Sequence, residues 1–281
     1  MKRIAILFLV IFLAGGVVMA QVPGLSAGGE LGILDFNDIG DTMFLRPYAS
    51  YESIDLIPGL DVYAELGIPF WVSPEFWLGL DINLFAGFSL DMSYESTLTF
   101  FAENVTFLPV ADDGMLSTKN ILSYFPFDWS YKFSTYFCLG VKYTYAMDFG
   151  DVYAMLELPF NLIVEGASAF DFSQLNLTVG VNLPAGVGGG LVIVNNLGGG
   201  VQFFERIIAF GSYEAYPLYA GLKIGLPLYD NGFKFEGMTL IIEGGYHVME
   251  NLLVYGKVPI LGLFSDGNAT LGLIIGAKYS F

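Results

Sequence analysis

The chain holds a single histidine, His247, in the run Gly244-Gly245-Tyr246-His247-Val248. Acyl-transfer chemistry needs a serine nucleophile, a histidine base and an orienting polar group within hydrogen-bond reach. His247 meets that need only if a serine from elsewhere in the chain lies beside it, so an inward-facing imidazole near one end of the fold is the plainer reading. Cys138 is the only cysteine; it can form neither an internal disulfide nor a Cys-x-x-Cys pair, and it reads as a small inward-facing or wall residue. Metal-ligand spacings are absent, and the glycine triplets at 188–190 and 198–200 lack the lysine and following helix of a phosphate-binding loop. No cofactor, no metal and no enzymatic activity are expected. What the chain does supply is dispersed charge and phenol: Glu65, Asp81, Asp91, Asp151, Glu157 and Glu243, with Lys142, Lys223, Lys257 and Lys278, and Tyr63, Tyr153, Tyr219 and Tyr255. Facing a common space, such groups set a field or pair with one another; rings of carboxylates favour cations.

The composition limits what can position them. The chain is 54% hydrophobic and 16% aromatic, with 35 glycines and a formal charge of −17, and its mean hydropathy is +0.60. That acid excess excludes nucleic acid as a partner. After residue 20 no stretch approaches the ~18 consecutive apolar residues of a spanning helix. Leu78, Leu80, Ile82, Leu84, Ala86, Phe88 and Leu90 instead hold every second position, as do Leu175, Leu177, Val179, Val181 and Leu183, and Leu271, Leu273, Ile275, Ala277, Tyr279 and Phe281. Successive side chains of a strand point to opposite faces, so each segment has one apolar face and one polar or small face. His247 shares a face with Thr239 and Glu243, opposite Leu240, Ile242 and Val248.

The first twenty residues form a separate unit. Lys2 and Arg3 precede an apolar run over Ile4–Leu13, and Val18-Met19-Ala20 offers small residues before Gln21. This is the layout of a secretory signal peptide, expected to be cleaved after Ala20.

Three features favour a transmembrane barrel over a soluble sandwich: runs of ten residues or more, outward positions rich in Phe, Tyr and Leu, and a final strand ending on Phe281. The ending Tyr279-Ser280-Phe281, after an alternating strand, resembles the C-terminal strand of bacterial outer-membrane β-barrel proteins. The resemblance implies an all-β, closed antiparallel transmembrane barrel over 21–281, located in the bacterial outer membrane and surrounded by its lipid. It also implies an assembly machinery that reads Tyr279 and Phe281.

A repeat fixes strand direction. Asp61-Val-Tyr-Ala-Glu-Leu-Gly-Ile-Pro69 recurs as Asp151-Val-Tyr-Ala-Met-Leu-Glu-Leu-Pro159, and more loosely at 218–227 and 253–259. Each copy follows a short turn, and such barrels keep tight turns on the periplasmic side. Periplasmic termini require an even strand number. The alternation predicts fourteen strands, near 26–36, 44–55, 60–70, 76–91, 95–108, 131–147, 151–162, 173–183, 189–196, 201–211, 216–228, 237–248, 252–262 and 269–281. The 95–108 strand is demanded by direction, since 60–70 and 151–162 must both rise. If the glycine-flanked 189–196 and the 201–211 segment with its adjacent Glu205 and Arg206 fail, twelve remain. The long connection 109–130, with Tyr124, Phe125, Phe127 and Trp129, is expected outside the cell as a constriction, a cap, a partner site or part of an aromatic girdle.

The leading expectation is a porin-like channel, weakly cation-preferring, in which small solutes diffuse past the charged and phenolic residues named above. The rivals are a non-conducting receptor, adhesin or structural barrel, and a transporter of hydrophobic molecules. Fatty-acid transporters of the outer membrane have fourteen strands and an N-terminal plug; strand one here is expected within about ten residues of Gln21, leaving no room for a plug.

Overall fold

The computed structural model describes residues 23–33, 35–39, 43–72, 76–78, 80–108, 134–165, 167–171, 174–197, 204–229, 232–233, 237–264 and 269–281. The expected signal peptide and the 109–130 connection lie outside the described residues.

Fourteen antiparallel strands form one closed sheet. They are β1 (Leu25–Ile33), β2 (Met43–Ile57), β3 (Leu60–Gly67, continued by Phe70–Val72), β4 (Phe76–Leu78 and Leu80–Ser93), β5 (Ser96–Leu108), β6 (Ser134–Met147) and β7 (Gly150–Glu165). Then follow β8 (Ala167–Asp171 and Gln174–Leu183), β9 (Val187–Asn196), β10 (Phe204–Ala215), β11 (Leu218–Tyr229), β12 (Met238–Met249), β13 (Leu252–Leu263) and β14 (Thr270–Leu271 and Leu273–Ser280). Each strand pairs with its chain neighbours, and β1 closes on β14 from Ser26↔Ser280 to Ile33↔Leu273. Closure removes both free edges, so every ladder donor and acceptor can be satisfied without water, as a lipid environment demands.

All fourteen predicted strands are present. The glycine-rich β9 pairs along its length with β8, because glycines on both strands let neighbouring side chains lie over the backbone. The adjacent charges at Glu205 and Arg206 coincide with a β-bulge: Val194 pairs with Arg206 and Asn195 with Phe204, leaving position 205 unpaired. The extra residue restores the alternation on either side.

Tight connections gather at one end. They lie at Pro58-Gly59, Tyr94-Glu95, Asp148-Phe149, Pro184–Gly186, Tyr216-Pro217 and Glu250-Asn251. Gly59 has φ +82°, and a Cβ there would lie 2.5 Å from the Ser89 carbonyl oxygen; only glycine fits this turn. Gly24 and Phe281 sit at the same end, bonded to Glu52 and Leu25 through the backbone.

Register sorts the side chains into two faces, because directly opposed residues share a face. Leu31, Leu45, Leu84, Phe100, Leu191 and Ile275 point outward and are exposed. Similar outward residues occur on strands all around the barrel, including Leu139, Leu177, Leu222 and Val254. An apolar belt of this extent is sustained only against another apolar phase.

Candidate functional site

The inward face is mixed. Arg46 on β2 is nearly buried, its side chain 3% exposed, and sits among three carboxylates. Its Nε and Nη2 donate to the two oxygens of Asp81 on β4 at 2.7 and 2.6 Å. Nη1 donates to Glu30 on β1 at 3.1 Å and Nη2 to Glu65 on β3 at 2.5 Å. The planar guanidinium suits this fork geometry, which a lysine would not reproduce. Glu65 also accepts from the Tyr63 hydroxyl at 2.5 Å and from the Asn83 amide at 3.2 Å. Burying so many charges is tolerable only because each meets an opposite charge or a donor.

The network crosses the seam between the two chain ends. The Tyr255 hydroxyl on β13 reaches over β14 to donate to Glu30 at 2.8 Å, and lies 3.1 Å from the Tyr48 hydroxyl on β2. Lys257 Nζ is 3.8 Å from Glu30 and 5.1 Å from the centre of the Tyr255 ring.

Glycines make this reach possible. A Cβ on Gly276 would fall 2.3 Å from Tyr255, one on Gly28 2.3 Å from Tyr48, and one on Gly245 2.2 Å from Tyr219. Phe101 lies over Gly140 and Tyr153 over Gly180 in the same manner, with would-be contacts of 2.0 and 2.4 Å. Each ring lies flat on a backbone without a side chain instead of projecting into the barrel. Paired across strands, these glycines and aromatic rings pack flat against the inner wall.

Beside the network lies a cavity of about 340 Å³, lined by Glu30, Arg46, Tyr48, Tyr63, Glu65, Tyr219, Glu243, Leu253, Tyr255, Lys257 and Lys278. Of the positions singled out from sequence, Tyr63, Glu65, Tyr219, Glu243, Tyr255, Lys257 and Lys278 meet here. Asp81 stands behind Arg46, and Lys223 neighbours this group on β11. Lys142 and Tyr153 form a separate cation–ring contact at 4.6 Å on β6 and β7. Glu157, also on β7, pairs in register with Asn176. Asp91 and Asp151 lie at the tight-turn rim. The sequence reading missed Glu30, Arg46 and Tyr48, although their parity was available: Phe44, Arg46 and Tyr48 alternate with Leu45, Pro47 and Ala49.

Other inward surfaces differ. Val192, Val194 and Ile208 are buried together with Phe210 packed against them, an apolar strip on β9 and β10. Glu157 Oε2, both amide atoms of Asn176 and Thr178 Oγ1 are buried without hydrogen-bond partners among the described residues. His247 packs against Tyr216 with ring centres 5.6 Å apart. Its Nδ1 is buried and has no hydrogen-bond partner among the described residues. Cys138 is fully buried, and among the described residues no group of three or more His, Cys, Asp or Glu side chains could hold a metal.

No family model matches the chain, and no curated protein matches it. Among solved structures, the KdgM porin in complex with disordered oligogalacturonate shows 9% identity and a TM-score of 0.43, over 91% of this chain and 99% of that one. The NanC porin shows 10% identity and a TM-score of 0.43, over 92% and 100% of the two chains. A mutant of the Rh. blastica porin shows 10% identity and a TM-score of 0.42, over 92% and 99%. The chain's own strand closure and apolar outer face make it a closed transmembrane β-barrel.

Proposed function

We propose that the protein is a porin-like channel of the bacterial outer membrane through which small solutes diffuse passively, with a weak preference for cations. The observation that carries this reading is a closed fourteen-strand barrel whose outside is apolar while its inner wall holds a charged, tyrosine-lined cavity. A barrel of this size is wide enough to leave an aqueous path. The cation preference is supported by the tight-turn mouth. Glu52, Asp91, Glu95, Asp148, Asp151, Glu214 and Glu250 are exposed there and Asp61 is half-buried. Among described residues, Lys278 is the only cation within three positions of a tight turn or chain end at that mouth. Carboxylates spread round an opening raise the local cation concentration. On this reading Tyr279 and Phe281, whose rings meet edge to face at 5.1 Å, serve the assembly machinery.

The test is the conductance of protein refolded from residues 21–281 in a planar bilayer under a salt gradient. Discrete steps with a cation-selective reversal potential are expected, and changing Asp61, Asp91 and Asp151 together to Asn should move that potential toward zero. A correctly folded barrel that carries no current would refute the channel. The apolar strip of Val192, Val194, Ile208 and Phe210 favours a second reading, passage of hydrophobic molecules. A silent barrel that takes up a fatty acid from micelles would support it.

A further inference from the structure

The seam cavity is electrically lopsided. On the β1–β4 side, Glu30, Glu65 and Asp81 surround the single cation Arg46, whose Nε, Nη1 and Nη2 are all engaged. This wall carries an excess of negative charge. On the β11–β14 side, Lys257 and Lys278 line the cavity with Lys223 beside them, against the single carboxylate Glu243. That wall carries an excess of positive charge. Taken together the two walls balance, so the cavity has no net charge to hold a lone anion or cation, but it does have a dipole across the seam.

We propose that this cavity binds small zwitterions, molecules of amino-acid size with one ammonium and one carboxylate; the proposal rests on the channel reading and names its solute class. The ammonium is met by Glu65. Its oxygens accept from Arg46, Tyr63 and Asn83, three of the roughly four bonds a carboxylate can take. Its side chain is 14% exposed, against 2% for Glu30 and 0% for Asp81, so it is the member of the acidic wall that a solute can reach. The carboxylate is met by Lys278, which makes no ion pair or hydrogen bond among the described residues, and by Lys257, whose one ion pair is long at 3.8 Å. The Tyr63 ring on one wall and the Tyr219 ring on the other line the cavity and give apolar contact to the methylenes of the solute. The volume, about 340 Å³, suits such a molecule and falls at the small end of ligand clefts. A monofunctional ion would gain at one wall and be repelled by the other, whereas an aligned dipole gains at both.

The experiment is titration calorimetry of the folded full-length barrel in detergent with 4-aminobutyrate, butyrate and butylammonium as probes. The zwitterion is expected to bind at least about tenfold more tightly than either half-molecule. Lys278→Met should reduce zwitterion binding to the level of butylammonium, and Glu65→Gln should reduce it to that of butyrate. Equal binding of the three probes, binding of none, or an unchanged ratio in Lys278→Met would overturn the proposal. Should Glu65→Gln fail to fold, the wild-type ratios and Lys278→Met still decide. Binding in detergent needs no current: a barrel that prefers the zwitterion yet never conducts sinks the channel reading, and one that conducts without preference sinks this one.

Discussion

Replacing Gly276 by Ala tests whether the flat tyrosines hold the seam. The new methyl would sit 2.3 Å from Tyr255 Cζ and 2.6 Å from its hydroxyl oxygen. Carbon atoms rest about 3.5–4.0 Å apart, so the ring must swing away by more than an ångström. Its hydroxyl then loses the bond to Glu30 at 2.8 Å and the contact with Tyr48 at 3.1 Å. A hydrogen bond to a charged group contributes about 1.5–3 kcal/mol and a neutral one about 0.5–1.5. Removing a strand glycine returns about 0.5–1 kcal/mol. The net loss should be about 1–4 kcal/mol, read from guanidinium unfolding of the refolded barrel in lipid vesicles. Gly256→Ala is the control. It faces outward two strands from β1, and its nearest non-neighbour atom lies at 3.7 Å, so it should match wild type within about 0.5 kcal/mol. Indistinguishable curves for the two variants would refute the argument, as would a full Gly276→Ala loss in a Tyr255→Phe background.

Arg46→Met leaves Glu30, Glu65 and Asp81 facing one another, and should lower stability by about 3–5 kcal/mol in the same unfolding assay; a loss below about 1 kcal/mol would mean water already screens the cluster. Asn176→Leu acts in the opposite sense, because both amide atoms are buried without partners among the described residues. It should change stability by less than about 1 kcal/mol or raise it, and a loss of several kcal/mol would show that a polar solute or water normally satisfies the amide. His247→Ala should leave conductance and selectivity unchanged in the planar bilayer, since the ring rests on Tyr216 outside the cavity lining; a lost current would show that the imidazole lines the path.

Alternation carried the strand count because a one-residue slip would turn an entire apolar face inward, so period-two runs such as 78–90 leave little freedom. Even β5, whose Phe100-Phe101 doublet blurs the pattern, was required by the direction of its neighbours. The bulge at Asn195 and Phe204 was not legible, because the two charges at Glu205 and Arg206 break the period without saying which residue drops out. Inward parity of single residues could be counted, as for Glu65 or Lys257, but their company could not. Glu30 lies 225 positions from Tyr255 along the chain, and only the closing pair β1–β14 with its exact-fit glycine at 276 brings them together. Arg46 lies inside the predicted 44–55 strand with inward parity, but its partner Asp81 is set by the height of β4 relative to β2, which alternation does not give.

The seam location has a consequence for biogenesis. The cavity draws on the first three strands and the last four, so a chain arrested at any earlier point in its assembly holds none of the completed pocket, however much sheet it has formed. A cut between β7 and β8 would give two sheets of seven strands each, one with Glu30, Glu65 and Asp81 and one with Lys223, Lys257 and Lys278. Recombining them would restore solute recognition only when both joints had zipped. If the cavity binds the proposed zwitterions, affinity for them would report on circular completion of the barrel.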